Sequence, residues 1–243
     1  MALITNPARA QKLAANLAAV RSRMVRACAR AGRDPEGVRL VAVSKFHPAS
    51  DILALVEAGQ REFAESYVQE ALLKQGELVG QDVLWHFVGG LQTKKARQVA
   101  GHFVLVHSVD SGKLAVELAR RAADAGVLQS VLIEVNMGEE QKAGVDEAGL
   151  PELAELVLSL QEDGVGLDLQ GLMCLPPIFD APEEARPYFA RLRELRDGLS
   201  ASLGVSLPHL SMGMTGDFEA AIEEGATIVR VGTSIFGQRP QKR

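Results

Sequence analysis

Cysteine and long apolar runs are scarce in this chain, and basic residues do not outnumber acidic ones. Cys28 and Cys174 are the two cysteines among 243 residues, and their wide separation suggests neither a disulfide framework nor a metal motif. The 5 histidines also lack ligand spacing, so no metal is expected. A formal net charge of −5 argues against a nucleic-acid-binding protein, which would need a basic face.

Targeting and membrane signals are missing from the sequence as well. Residues 1–7 lack the charged-then-apolar pattern of a signal peptide, and no apolar run approaches the length that spans a bilayer. Apolar residues make up 47% of the chain and charged residues 23%, which is typical of a globular protein. We therefore expect a cytoplasmic protein with no membrane partner.

Short aliphatic runs alternate with helical patterns over most of the chain. The spacing predicts a helix over residues 7–31, followed by eight strands with helical patterns between them. Eight strands alternating with helices over roughly 200 to 250 residues is the pattern of a (β/α)8 TIM barrel of the α/β class. A doubly wound open sheet is less favoured, because no GxGxxG motif follows the first strand. The predicted strands are residues 38–45, 62–66, 84–89, 103–108, 130–136, 167–173, 209–212 and 228–232.

The chain is expected to form one domain. No linker or low-complexity tract interrupts the alternating pattern. We therefore predict a single domain over residues 1–243, in which the helix at 7–31 precedes a barrel over residues 38–236.

Lys45 closes the first predicted strand, and the residues that follow break the aliphatic run before a helical pattern begins. The carboxyl ends of parallel strands are where α/β folds place their ligands. A lysine at that position has two interpretations. It can simply end the strand at solvent, or it can form an imine with an aldehyde if burial lowers its pKa.

Arg230 lies in the middle of the last predicted strand, between Val229 and Val231. Because side chains alternate along a strand, the two valines are expected to face the helices and Arg230 the barrel interior. A buried charge there needs a partner, either a carboxylate such as Glu134 or a ligand. Glycine- and hydroxyl-rich turns follow the seventh and eighth strands, where barrels commonly hold a phosphate. A lysine, an arginine and a phosphate site together fit pyridoxal phosphate, whose ring nitrogen proteins contact with aspartate or arginine.

Eight stretches, in order along nearly the whole chain, resemble the pyridoxal phosphate homeostasis protein family, also called the YggS/PROSC family. The resemblance implies a barrel like the N-terminal domain of alanine racemase, of pyridoxal-phosphate fold type III, with pyridoxal 5'-phosphate held as a Schiff base on Lys45. It also implies a ring-nitrogen contact at Arg230. The implied phosphate contacts are Ser211, Gly213, Gly232 and Thr233. The stretches are LVAVSKFHP, EFAESYVQE, LWHFVGGLQTKK, HSVD, VLIEVNMGEEQKAGV, LQGLMCLPP, LSMGMTGDFEAAIEEGAT and VRVGTSIFGQR.

Two positions depart from the family's pattern. Ser66 stands where the family usually has an asparagine near the cofactor, and Gly90 stands where it often has histidine or proline. Ser66 is therefore a predicted cofactor contact with altered chemistry. Neither departure replaces Lys45 or Arg230.

Three functions compete for this combination of residues. A carrier would hold pyridoxal phosphate and hand it on, a racemase would use it for amino-acid chemistry, and an aldolase would use Lys45 directly on a sugar phosphate. The aldolase gives Arg230 no role. A racemase needs a second base on the opposite face of its substrate, a tyrosine that an added C-terminal β domain supplies in the alanine racemase fold. This chain stops at Arg243, and neither Tyr67 nor Tyr188 can be assigned to that role.

We therefore favour a non-catalytic protein that acts in intracellular pyridoxal phosphate (vitamin B6) homeostasis. The alternative is a pyridoxal-phosphate-dependent amino-acid racemase or another fold-type III enzyme. Apo forms of pyridoxal-phosphate-dependent enzymes are the expected recipients of the cofactor. Neither nucleic acid nor a membrane is an expected partner, and we expect a monomer or a weak dimer.

Overall fold

Eight parallel strands close into a barrel within residues 6–138 and 143–238, the residues that the computed structural model describes. The expected (β/α)8 barrel is thereby confirmed. The two ends of the predicted domain, 1–5 and 239–243, and residues 139–142 within one family-like stretch lie outside the described residues. The strands are β1 (Arg39–Val43), β2 (Glu62–Glu65), β3 (Leu84–Phe87), β4 (Leu105–Val109), β5 (Leu128–Val135), β6 (Gln161–Glu162), β7 (Val165–Cys174), β8 (His209–Ser211) and β9 (Ile228–Val231).

The barrel closes between its first and last strands. β9 pairs in parallel with β1, which sets Arg39 opposite Ile228 and Val41 opposite Arg230. The other barrel strands pair in parallel with their neighbours in chain order, except that β5 pairs directly with β7. Closure therefore brings the turn after β1 next to the turn after β9, so that residues from both ends of the sequence can share one site.

The two-residue strand β6 is an addition that the sequence interpretation missed. It pairs antiparallel with β7 and takes no place in the barrel. The connecting residues Asp163 and Gly164 both have positive φ, 47° and 80°. An Asp-Gly pair in this conformation is a common two-residue hairpin turn, so the dipeptide was the signal that could have predicted β6.

The predicted helix over residues 7–31 is confirmed as α1, which begins at Pro7 after an Asn6 cap whose side chain accepts the Ala8 N–H. It packs against three other helices, α2, α7 and α8. Among the described helices, none combines the length and apolar character needed to cross a bilayer. The helices are α1 (Pro7–Arg30), α2 (Ala49–Glu57), α3 (Val68–Glu77), α4 (Gly112–Asp124), α5 (Leu150–Ser159), α6 (Arg186–Leu203), α7 (Phe218–Glu223) and α8 (Thr233–Phe236), with 3₁₀ turns at Pro35–Gly37, Thr93–Gln98 and Pro182–Ala185.

The hydrophobic core has two layers separated by the strands. The outer layer lies between strands and helices and includes Val229 and Val231, as their alternation predicts. The inner layer is a small cluster on the barrel axis. It takes one apolar side chain from each of six strands. The inner cluster consists of Val41, Ala64, Leu105, Leu132, Met173 and Ile228.

Candidate functional site

A cavity of about 500 Å³ lies at the carboxyl ends of β1 and β9. This volume is within the range of roughly 300 to 1,000 Å³ that small-molecule sites occupy. Two of its charged lining residues are the ones that the sequence singled out, Lys45 and Arg230. The other lining residues are Val43, Pro177, Ile178, Phe179, Asp180, Pro182, Ala185, Met214, Thr215, Gly216, Asp217, Gly232 and Thr233.

Lys45 lies in the turn after β1, because the strand ends at Val43 rather than at residue 45 as predicted. The ladder continues for one hydrogen bond, from Ser44 N to Ala64 O, before Phe46 turns the chain with a φ of 68°. A positive φ is uncommon outside glycine, so surrounding contacts must hold this turn in place. The turn projects Lys45 into the cavity instead of continuing the strand.

The contacts that hold the Lys45 turn come from α3. Glu70 Oε1 accepts the Phe46 N–H at 2.6 Å, and Lys74 Nζ donates to Ser44 O at 2.8 Å. Lys74 also contacts Glu65 Oε1 at 2.6 Å and Glu70 Oε1 at 2.7 Å. Burial raises the pKa of Glu65, and the Lys74 ammonium opposes that rise. This buried cluster was not foreseen, although the four-residue spacing of Glu70 and Lys74 on a helix favours pairing.

Ser66 lies at the carboxyl end of β2 beside Lys45. The distance from Lys45 Nζ to Ser66 Oγ is 3.4 Å, a long hydrogen bond. The Ser66 backbone passes so close to Gly89 that a Cβ at Gly89 would lie 2.1 Å from Ser66 O. By contrast, a Cβ at Gly90 would meet nothing within 4 Å. The Cβ of the histidine or proline that the family often has there would therefore lie in open space.

Arg230 points into the barrel and is 3% exposed. Its Nη1 donates to Ser211 Oγ at 2.5 Å and its Nη2 to Cys174 O at 2.9 Å. Both acceptors are uncharged. Burial lowers the pKa of Arg230, although a guanidinium keeps its proton at neutral pH.

Glu134 was the carboxylate considered as a partner for Arg230. Among the described ion pairs, none joins these two residues at close range. Burial raises the pKa of Glu134 to about 7, and the attraction of Arg230 only partly opposes that effect. The Arg230 charge is therefore not neutralised by a paired anion within the described protein, which favours a role toward a ligand.

The two predicted phosphate turns meet at the cavity wall. Gly232 and Thr233 line the cavity directly, and Thr233 is exposed to it. On the other turn, residues 214–217 line the cavity. The glycine-rich pattern had indicated this turn without singling out these positions. The Ser234 N–H donates to Thr215 Oγ1 at 3.4 Å and so joins the two turns.

Ser211 and Gly213 lie behind this wall and are not among its lining residues in the described structure. Ser211 is fully buried, and its hydroxyl is engaged by Arg230. Gly213 has a φ of 88°, and a Cβ there would lie 2.5 Å from Ala221 Cβ, so the turn packs directly on α7. The phosphate contacts expected at these two residues therefore stay predictions. The buried Ser211 hydroxyl and the close packing of Gly213 on α7 favour support of the site from behind.

A chain of buried polar side chains continues from Ser211 along the barrel interior. His107 Nδ1 lies 2.8 Å from Ser211 Oγ, and His107 Nε2 lies 2.9 Å from His86 Nδ1. His86 Nε2 approaches Glu62 Oε2 at 3.4 Å but is too poorly aligned for a hydrogen bond. Glu62 is held by Arg39 Nε at 2.9 Å. This arrangement was not predicted from the sequence, since single histidines on separate strands resemble ordinary core residues.

Helix α1 supports the turn after β9 from outside the barrel. Asn16 Nδ2 donates to Ile235 O at 2.8 Å, and Arg9 Nη2 donates to Phe236 O at 2.9 Å. Arg9 also pairs with Asp51 on α2 at 2.5 Å. These contacts fix α8, the helix whose first residue is Thr233.

Comparison with known proteins gives a consistent result. Residues 12–240 match the family described as "Alanine racemase, N-terminal domain". The chain is 47% identical to the pyridoxal phosphate homeostasis protein of Aquifex aeolicus (strain VF5) over 224 residues, covering 92% of this chain and 96% of that relative. It is 38% identical to PipY of Synechococcus elongatus PCC7942, solved with PLP bound, with a TM-score of 0.82 and coverage of 93% of this chain and 100% of PipY. Alanine racemase of Clostridium difficile 630 shares the fold at 16% identity, with a TM-score of 0.70 over 96% of this chain and 58% of the racemase chain.

Proposed function

The chain belongs to the pyridoxal phosphate homeostasis protein family, and we propose that it binds pyridoxal 5'-phosphate in the cavity between the ends of β1 and β9. One observation carries the proposal. Lys45 is far in sequence from Arg230 and the Gly232–Thr233 turn, yet all three line a single cavity of about 500 Å³. The three features match the aldehyde, the ring nitrogen and the phosphate of this cofactor.

Lys45 is proposed to carry the cofactor. Pyridoxal phosphate, when bound, supplies an aldehyde that forms a Schiff base with an amine and releases one water molecule. Lys45 provides that amine from a turn whose conformation is held by α3. Ser66 Oγ, 3.4 Å from Lys45 Nζ, is a polar neighbour that orients the lysine.

Arg230 is proposed to face the ring nitrogen. Two of its N–H groups are committed to Ser211 and Cys174, which leaves further donors of the guanidinium for the cavity. An arginine cannot give up its proton at neutral pH, so it donates to the nitrogen and keeps the pyridine unprotonated. An unprotonated ring is a poor electron sink, which suits retention of the cofactor more than catalysis.

The phosphate is proposed to lie against the two joined turns. Gly232 and Thr233 offer backbone N–H groups and a hydroxyl at the start of α8, and 215–216 face them across the cavity. For Ser211 and Gly213 we propose support from behind: Ser211 holds Arg230, and Gly213 lets the turn approach α7.

A non-catalytic role follows best from the lining of the cavity. Among the described residues that line it there is no tyrosine: Tyr188 packs on the lining residue Phe179, and Tyr67 packs on Phe46. A racemase needs a proton donor on the face opposite the lysine. We therefore propose a protein that holds and hands over pyridoxal phosphate in the cytoplasm, with apo enzymes as recipients, formed as one domain that is a monomer or a weak dimer.

Reduction of the loaded protein with borohydride tests the cofactor site. Peptide mapping should find the pyridoxyl group on Lys45, and Lys45→Ala should lose the visible absorption of the bound cofactor. A label on Lys94 or Lys95 would contradict the assignment.

An amino-acid panel separates the two functions, because steady interconversion of the enantiomers of any amino acid would favour the racemase.

A further inference from the structure

The buried chain from Arg230 to Glu62 has no role in the binding scheme so far. Its middle members, Ser211, His107 and His86, are each 0% exposed. Three separations describe it: 2.5 Å from Arg230 Nη1 to Ser211 Oγ, 2.8 Å from Ser211 to His107, and 2.9 Å from His107 to His86. Fully buried imidazoles that contact each other need a defined proton arrangement, because two lone pairs or two N–H groups facing one another repel.

The two ends of the chain decide that arrangement. Arg230 can only donate, so Ser211 Oγ must accept from it. The Ser211 hydroxyl proton is then free to go to His107 Nδ1. The other end is the Glu62 carboxylate, which pairs with Arg39 at 2.9 Å. Burial alone would raise the pKa of Glu62, but His86 and Arg39 together lower it, so the carboxylate stays ionised. The Glu62 carboxylate lies 3.4 Å from His86 Nε2, out of line for a hydrogen bond, but its negative charge repels a lone pair on that nitrogen and so favours a proton there.

One direction satisfies all three hydrogen bonds between these ends. Arg230 donates to Ser211, Ser211 donates to His107 Nδ1, and His107 Nε2–H donates to His86 Nδ1. The proton on His86 Nε2 then lies on the side of the Glu62 carboxylate, a favourable charge contact at 3.4 Å. The opposite direction would set the His86 Nε2 lone pair against the carboxylate at 3.4 Å. It would also leave the Ser211 proton without an acceptor among the described hydrogen bonds. Burial lowers the pKa of both imidazoles, which agrees with two neutral rings.

We propose that His107 and His86 are positioning residues for the cofactor site, holding a one-directional hydrogen-bond chain that fixes Ser211 as the acceptor of Arg230 Nη1. The proposal rests on the assignment of Arg230 to the pyridoxal phosphate site. Without the chain, the Ser211 hydroxyl could rotate its proton toward Arg230, and the guanidinium would lose one of its two anchors. With the chain, the guanidinium plane is fixed before any ligand arrives, which reduces the ordering cost of binding.

The charged groups around the Glu62 end of the buried chain are consistent with this direction. Arg39 and Glu62 pair with each other, and His209 lies close enough for its pKa to be lowered by burial and by the Arg39 charge. Arg39 also disfavours a second proton on His86. The negative charge of Glu62 is thus the feature that fixes this end of the chain.

The first test reads the proton positions directly in the cofactor-free protein. Long-range ¹H–¹⁵N spectra of ¹⁵N-histidine-labelled protein should show both His86 and His107 as neutral Nε2–H tautomers, with exposed His102 as the internal reference. An Nδ1–H tautomer at either residue, or a doubly protonated ring, would overturn the direction. Glu62→Gln should give a mixture of tautomers at His86, and an unchanged Nε2–H form in that variant would remove Glu62 as the anchor.

The second test asks whether the chain positions Arg230. His107→Leu removes the acceptor of the Ser211 proton, and loss of one net hydrogen bond predicts a roughly threefold to tenfold weaker affinity for pyridoxal phosphate. His107→Asn keeps an acceptor near the Nδ1 position and should lose less. Identical affinities in His107→Leu and the unmodified protein would overturn the positioning role.

A readout without cofactor separates this proposal from the proposed function. Slow guanidinium rotation should give resolved Nη signals for Arg230 in the cofactor-free protein, and His107→Leu should merge them. If the unmodified protein fails to bind pyridoxal phosphate, the proposed function fails, and these signals still decide whether the chain fixes Arg230. Signals that stay resolved in the variant would overturn it.

Discussion

Two buried cations flank the candidate cofactor site, and their surroundings differ. Lys74, which is 6% exposed, lies within 2.7 Å of two carboxylates, those of Glu65 and Glu70. Arg230, which is 3% exposed, donates to a hydroxyl and a backbone carbonyl. A charge paired with anions is satisfied within the protein, whereas a charge on neutral acceptors still attracts an anion or a lone pair. This difference favours a structural role for Lys74 and agrees with the proposed ligand contact of Arg230.

Lys74→Met should have the largest effect. It strands the buried Glu65 carboxylate and frees the Lys45 turn, so the free energy of unfolding of the cofactor-free protein should fall by about 3–5 kcal/mol. Urea denaturation measures the change. Lys94→Met at an exposed lysine is the control and should stay within about 0.5 kcal/mol of the unmodified protein. A Lys74→Met loss no larger than that of the control would show that the ion pairs do not stabilise the fold.

Glu134→Gln sharpens the comparison by removing an acidic side chain near Arg230 that forms no close pair with it. Burial raises the pKa of Glu134 from 4.5 to about 7, so the folded state holds this proton more tightly than the unfolded state. The free energy of unfolding of the unmodified protein therefore falls as the pH rises through that interval. Glu134→Gln has no such proton to lose, so its stability should not fall for this reason. We expect little difference near about pH 4 and a gain of roughly 3 kcal/mol at about pH 8, measured by urea denaturation of the cofactor-free protein. A loss of stability at the higher pH would instead show that the ionised carboxylate stabilises Arg230.

Arg230→Leu should weaken cofactor binding more than folding, whereas Lys74→Met should mainly weaken folding. A lost hydrogen bond to a charged group costs about 1.5–3 kcal/mol. The affinity for pyridoxal phosphate should therefore fall by about tenfold to a hundredfold, or somewhat further. The cofactor-free variant should lose less stability than Lys74→Met, because it leaves no buried anion. Absorbance titration and urea denaturation of the same samples measure both. A large loss of stability with unaltered affinity would remove Arg230 from the cofactor site.

Ser66→Asn should have the smallest effect. It restores the residue that the family usually has beside Lys45, and its longer side chain adds an amide donor and acceptor at a position where the hydroxyl makes only a 3.4 Å contact. One added hydrogen bond predicts about a twofold to tenfold tighter affinity for pyridoxal phosphate in the same titration. Ser66→Ala is the matched control and should not gain affinity. Weaker binding by Ser66→Asn would indicate a site shaped for the smaller residue.

The sequence predicted the parts of this fold that depend on periodicity. The helix over residues 7–31, the closed barrel and the inward direction of Arg230 all follow from spacing and strand alternation, and the structure confirms them. Strand ends were less certain, because the turn at Phe46 is held by contacts from α3 that no local pattern reveals. The β6 hairpin was missed although its Asp-Gly turn is a recognisable signal.

The site was predictable only where one residue carries the chemistry. Lys45 and Arg230 stand out because a charged residue at a barrel strand is unusual. The contact between His86 and His107 was not predictable, since it joins two strands through side chains that each look like an ordinary core histidine. The family resemblance implied a phosphate contact at Ser211, whereas in the structure its hydroxyl accepts from Arg230.

The pairing of β1 with β9 has a consequence for biosynthesis. Arg39 and Ile228 are paired neighbours in the barrel, although they are near opposite ends of the sequence. During translation the ribosome releases β1 long before β9, so the nascent chain carries Lys45 without the strand that completes its surroundings. Contacts of such long sequence separation form late in folding. The cofactor cavity is therefore absent from partly synthesised chains, and a vitamin-loading step can act only on a polypeptide that has finished its barrel.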